Sequence, residues 1–61
     1  MWVYLNDGRK VNMFWVVSFY QDKKDVIYEM AKGHGLKVIE PFGTEDEAEK
    51  RVEQLEEEYV S

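Results

Sequence analysis

Lys10-Val11-Asn12-Met13-Phe14-Trp15-Val16-Val17-Ser18-Phe19-Tyr20-Gln21 is the stretch on which the fold turns. It is rich in the β-branched and aromatic residues that suit a half-buried pleated surface. It reads as one long strand with room for a bend. Side chains on a strand alternate between two faces. The odd set, Val11, Met13, Trp15, Val17 and Phe19, is wholly apolar and is assigned to the core. The even set, Lys10, Asn12, Phe14, Val16, Ser18 and Tyr20, is mixed and is assigned to the opposite face. That second face holds more apolar area than a solvated sheet surface normally shows.

Turn signals flank the stretch on both sides. Upstream, Met1–Leu5 reads as a strand that enters a hairpin at Asn6-Asp7-Gly8. A two-residue Asp7-Gly8 turn would send Trp2 and Tyr4 to the core. A three-residue loop with Gly8 at a bulge sends Met1, Val3 and Leu5 there instead. The bulged register is preferred, because it extends the purely apolar face. Downstream, Asp22-Lys23-Lys24-Asp25 is a polar four-residue turn. It pairs Phe19 with Tyr28, Val17 with Met30, Ser18 with Glu29 and Tyr20 with Ile27. Val26–Ala31 continues as a strand, Gly33-His34-Gly35 turns the chain, and Leu36–Ile39 is a last short strand.

The C-terminal third changes period. Thr44 is a good N-cap, and Glu47 three residues later completes a capping box. Ala48, Val52, Leu55 and Tyr59 form one narrow apolar stripe among charged residues, so Thr44–Val60 is expected to be a helix that covers a single surface. Glu47 and Arg51 stand at i,i+4 spacing and are expected to pair. The expected fold is α+β: one domain over residues 1–61, with an antiparallel meander of three or four strands over about 1–40. That sheet packs on one C-terminal amphipathic helix over about 44–60.

Composition narrows the function. The chain has 61 residues and no cysteine, which excludes disulfide staples and a two-domain enzyme. Below about 70–80 residues a single core rarely supplies more than roughly 3–5 kcal/mol. Nine aromatic residues therefore invite two uses, dense core packing and burial against a second chain. Trp15, Phe19, Tyr28 and Tyr59 are assigned to the core, and Phe42 to the helix entry. Phe14, Val16 and Tyr20 remain as candidate partner contacts, joined by Trp2 and Tyr4 in the bulged register. A contiguous apolar patch of that kind marks an interaction site.

Catalysis finds little support. His34 between two glycines reads as an exposed turn residue, with no Ser or Cys nucleophile in a motif beside it. One histidine and no cysteine leave no metal-ligand pattern, and no cofactor motif is present. The net charge of −5 is uneven: residues 1–40 carry six bases and five acids, residues 41–61 two bases and eight acids. Glu45, Glu49, Glu53 and Glu56, with Asp46 and Glu57, give an alternative reading as a phosphate-mimicking helix that inhibits a DNA-binding protein, as small phage-encoded inhibitors do. A third reading stacks unpaired bases on Phe14 and Tyr20 beside Lys10, Lys23 and Lys24. The acidic balance argues against nucleic acid as a partner.

No stretch is long and apolar enough to span a bilayer as a helix. No signal-peptide pattern opens the chain, so a soluble cytoplasmic protein is expected. A protein partner, or a second copy in a homodimer, is the expected ligand.

The run Val38-Ile39-Glu40-Pro41-Phe42-Gly43-Thr44-Glu45-Asp46-Glu47-Ala48-Glu49 resembles the strand–Pro–Phe–turn–helix step in the second half of SPOR peptidoglycan-binding domains. The likeness covers about one-fifth of the chain. A SPOR domain would also need a helix after its first strand, which this sequence does not offer. Neither that function nor any site residue is carried over.

Overall fold

The computed structural model describes residues 1–59. Strands β1 (Trp2–Tyr4) and β2 (Lys10–Asn12) form a hairpin, and β3 (Val16–Asp22), β4 (Asp25–Met30) and β5 (Lys37–Pro41) form a three-stranded antiparallel sheet. Helix α1 (Glu45–Tyr59) lies against β3 and β4. The α+β expectation holds, with the strands divided between two sheets. Val60, the expected last helical residue, lies outside the described residues.

The first hairpin adopts the bulged register. Val3 pairs with Val11, and the Leu5 N–H donates to the Arg9 carbonyl across 2.8 Å. The three-residue loop needs a left-handed residue in its third position, and Gly8 supplies it at φ +93° without a Cβ clash. Val3 and Leu5 are buried, whereas Met1, expected beside them, is exposed.

The long strand is broken. Met13–Trp15 is a single 3₁₀ turn between β2 and β3. Asn12 starts it: its side-chain oxygen accepts from the Phe14 N–H at 3.0 Å, and such local bonding competes with a strand ladder. The Met13 N–H then donates to the Met1 carbonyl at 2.8 Å, tying the turn to the start of β1. Past the turn, a register shift between Val16 and Ser18 inserts one extra residue. Val16, and not Val17, therefore opposes Met30. From Ser18 onward the register is as expected: Ser18 with Glu29, Phe19 with Tyr28 and Tyr20 with Ile27. The turn closes tighter than expected, with Asp22 opposite Asp25 and Lys23 at φ +56°.

These two irregularities reverse the facing of the middle residues. Val16 packs against the core, while Trp15 and Val17, assigned to it by alternation, are exposed. Phe19 returns to the core side. The buried cluster joins Val3, Leu5 and Val11 of the hairpin to Val26 and Tyr28 of β4 and to Ala48 and Leu55 of α1. The other sheet face is not bare either, because Ile27 is buried there between its cross-strand neighbours Tyr20 and Ile39.

The helix is capped as expected at its start. The Thr44 hydroxyl accepts from the Glu47 N–H at 3.2 Å and donates to the Glu47 carboxylate at 3.3 Å. Arg51, however, does not pair with Glu47. It turns inward to Glu40, whose side chain is 1% exposed. Glu40 Oε1 accepts from Arg51 Nε at 3.1 Å and from the Tyr28 hydroxyl at 2.8 Å, and Oε2 accepts from the Asn6 N–H at 2.9 Å. The Arg51 fork also donates to the Tyr4 carbonyl at 2.9 Å and to Gln54 Oε1 at 3.0 Å. Burial pulls the Arg51 guanidinium down, and the hydrogen bond and charge of Glu40 more than reverse this. Burial first, and then the bond to Glu40, push the Tyr28 hydroxyl far above its ordinary range.

Arg51→Met leaves the Glu40 carboxylate buried without its cation, a change that costs about 3–5 kcal/mol. The variant is expected to be largely unfolded at 25 °C by circular dichroism, whereas Lys50→Met, at an exposed i,i+4 pair with Asp46, is expected to shift the urea midpoint little. The raised Tyr28 value gives a second test. An unfolded tyrosine loses its proton near pH 10, so above that pH the native state binds more protons than the unfolded one. Stability is then full below about pH 10 and falls as the pH rises through the native value. Tyr28→Phe is expected to flatten that alkaline slope in urea titrations.

Candidate functional site

The candidate contacts sit on three different surfaces. Trp2 and Tyr4 point outward from the β1–β2 hairpin, with Lys10 Nζ lying 4.8 Å from the Trp2 ring centroid. Tyr20 stands on the face of the large sheet away from α1, where its hydroxyl donates to Glu29 Oε1 at 3.0 Å. That bond raises the Tyr20 hydroxyl above its ordinary value. Phe14 projects from the 3₁₀ turn and is 73% exposed. Val16, expected on the same outward face, belongs to the core side. The single aromatic face inferred from alternation does not exist, because the 3₁₀ turn swings the hairpin out of the plane of the sheet.

A different constellation replaces it. Met1, Met13, Phe14, Val16, Val17, Phe19 and Tyr59 line an open groove of about 580 Å³, with Glu56 on its helical side. The groove lies where the start of β3, the 3₁₀ turn and the last turns of α1 meet. Met1 and Val17 are 72% and 71% exposed, so three large apolar side chains stand free around one depression. Alternation missed Val17 and Met1. The signal in the sequence was Asn12, a turn former inside an otherwise apolar run.

The groove continues into a free strand edge. β3 is at the outside of the sheet order β3-β4-β5. The Phe42 N–H donates to the Lys24 carbonyl at 3.0 Å, which sets the parity of the ladder. Even-numbered residues of β4 turn their backbone groups to β5, and odd-numbered ones to β3. Their partners Ser18, Tyr20 and Asp22 bond inward, so Phe19 and Gln21 direct N–H and C=O outward. Among the described residues no hydrogen bond reaches those groups. The opposite edge is treated differently: Arg9 and Asn6 side chains donate to the Ile39 and Pro41 carbonyls of β5.

The remaining candidates carry less. His34 lies in the turn between Gly33 and Gly35 and stacks on the Trp15 indole, with centroids 3.9 Å apart and planes 13° from parallel. Among the described residues no three side chains of metal-ligating type converge. Glu45, Glu49, Glu53 and Glu56 are all exposed on α1. No helix is long and apolar enough to cross a membrane among the described residues. No family model, curated protein or solved structure matches this chain.

The reversed facing of neighbouring valines is directly testable. Val16→Asp puts a charge against the core and is expected to unfold the protein, while Val17→Asp at the bulge is expected to move stability by no more than about 0.5 kcal/mol. Equal effects in urea denaturation would restore the unbroken strand.

Proposed function

We propose that this protein is a small non-catalytic interaction module of the cytoplasm that binds a protein partner or a second copy of itself. The groove at the start of β3 is the binding site. One observation carries the reading: Met1, Phe14 and Val17, each more than two-thirds exposed, gather around one apolar depression. Large apolar side chains grouped in this way mark an interaction surface, whereas singly scattered ones do not. Phe14 is the anchor, as aromatic side chains that fill or rim a pocket dominate interface energy. Its backbone is held by Asn12, and its ring meets Trp15 edge-on at 4.9 Å, so little conformational freedom remains to be lost on binding.

Trp2 and Tyr4 lie on the hairpin's own outer surface and are not assigned to this site. Of the two, Trp2 meets the Lys10 ammonium over its ring, and Tyr4 is exposed.

Phe14→Asp is expected to keep the native circular dichroism and urea midpoint while weakening association about tenfold or more. Association is read as self-association in sedimentation and as capture of host proteins by the immobilised full chain. A variant that unfolds would return Phe14 to the core and overturn the assignment. Unchanged association by both measures would do so equally.

A further inference from the structure

We propose that the ligand of this site is a second copy of the chain, joined through antiparallel pairing of β3 with β3 of its twin about a two-fold axis at Tyr20. This rests on the groove reading above and specifies its occupant. Three features lead to it.

The first is the edge itself. Proteins guard exposed strand edges with lysine, proline, β-bulges or covering side chains, and a stretch of edge free of these is a template for strand addition. On β3 the bulge disturbs only the first residues. The β5 edge is guarded by Arg9 and Asn6. The β3 edge is uncharged from Val16 to Gln21. The bulge at Val17 leaves Phe19 and Gln21 as its regular outward-bonding residues. Only one two-fold register pairs these with each other, Phe19 with Gln21 of the twin and the reverse. It sets Tyr20 opposite Tyr20 on the outer face, a favourable cross-strand aromatic pair.

The second feature is charge. The β3–β4 turn carries Lys23 and Lys24, both exposed and in no ion pair among the described residues. At the other end of β3, the groove is flanked by Glu56 on a helix whose last turn holds no basic residue. The negative end of the helix dipole adds to that field. A two-fold axis perpendicular to the sheet keeps both helices on one face and reverses the strand direction. Lys23 of each copy then comes opposite Val17 of the other, beside Glu56. Asp22, on the same strand, points with Tyr20 to the face away from the helix and does not meet it.

The third feature is the groove, which lies at the end of the strand where that turn arrives. The aliphatic stems of Lys23 and Lys24 would cover Val17 and Phe14 while their ammonium groups meet the acidic side. The result is a continuous six-stranded sheet with two clefts filled reciprocally, as an isologous interface requires.

The experiment uses the full chain. Sedimentation across a wide concentration range is expected to show a monomer–dimer equilibrium. Tyr20→Cys is expected to form a disulfide-linked dimer on mild oxidation, and Ser18→Cys is not, because its own copies would lie too far apart to bridge. Should Tyr20→Cys misfold, Ser18→Cys mixed with Asp22→Cys reads the same register and is expected to give a linked mixed dimer. Reversing Lys23 and Lys24 to Glu is expected to weaken the dimer roughly tenfold, and adding Glu56→Lys to recover part of that loss. A strict monomer, or a dimer that neither cysteine arrangement links, would overturn the proposal. In either case, loss of host-protein capture by Phe14→Asp would leave the groove as a binding site for a different partner. The two readings therefore fail separately.

Discussion

A single buried carboxylate organises this protein. Glu40 reaches into the layer between sheet and hairpin and is satisfied from three other segments: Tyr28 on β4, Asn6 in the hairpin loop and Arg51 on α1. Arg51 then extends the connection to the β1 backbone at Tyr4. An apolar contact tolerates sliding, whereas a charge removed from water must find its partners at set distances and angles. Hairpin, sheet and helix are thereby held in one arrangement. In a chain too short for a deep core and free of cysteine, the network gives positional definition where a larger protein would use packing alone.

The interruption at Met13–Trp15 has the opposite effect. It releases the chain from the sheet, lets the hairpin turn over the core face and leaves the start of β3 as an outer edge. The bulge at Val17 then exchanges the facing of two adjacent valines. Both devices are local, and together they convert a dispersed surplus of apolar side chains into a groove beside an open strand edge. The proposed binding site and the fold thus come from the same irregularities.

Much of this was legible in residue order. The helix and its cap follow from Thr44, Glu47 and the Ala48–Val52–Leu55–Tyr59 stripe. The bulged first hairpin follows from Gly8 and from the apolar pair Val3 and Leu5 that it buries, and the pairing of Ser18, Phe19 and Tyr20 with β4 follows from the polar turn. Local rules act over a few residues, and these elements depend on little else. Asn12 was present as a warning inside the long strand, but alternation alone gave it no weight. Arg51 was similarly misread as the partner of Glu47, its neighbour one turn away, because helical spacing is visible in the sequence and the depth of Glu40 is not.

Apart from the 3₁₀ turn at Met13–Trp15, residue order settled which segments are strands and which is the helix, because hydrophobic period, capping and turn chemistry are properties of neighbours in the chain. The nine aromatic residues are a different matter. Which of them line the core and which stand in solvent depended on a one-residue bulge and a three-residue turn, and on where a buried charge found its partners. Those are contacts between segments far apart in sequence. Their energies are felt only once the chain has closed on itself.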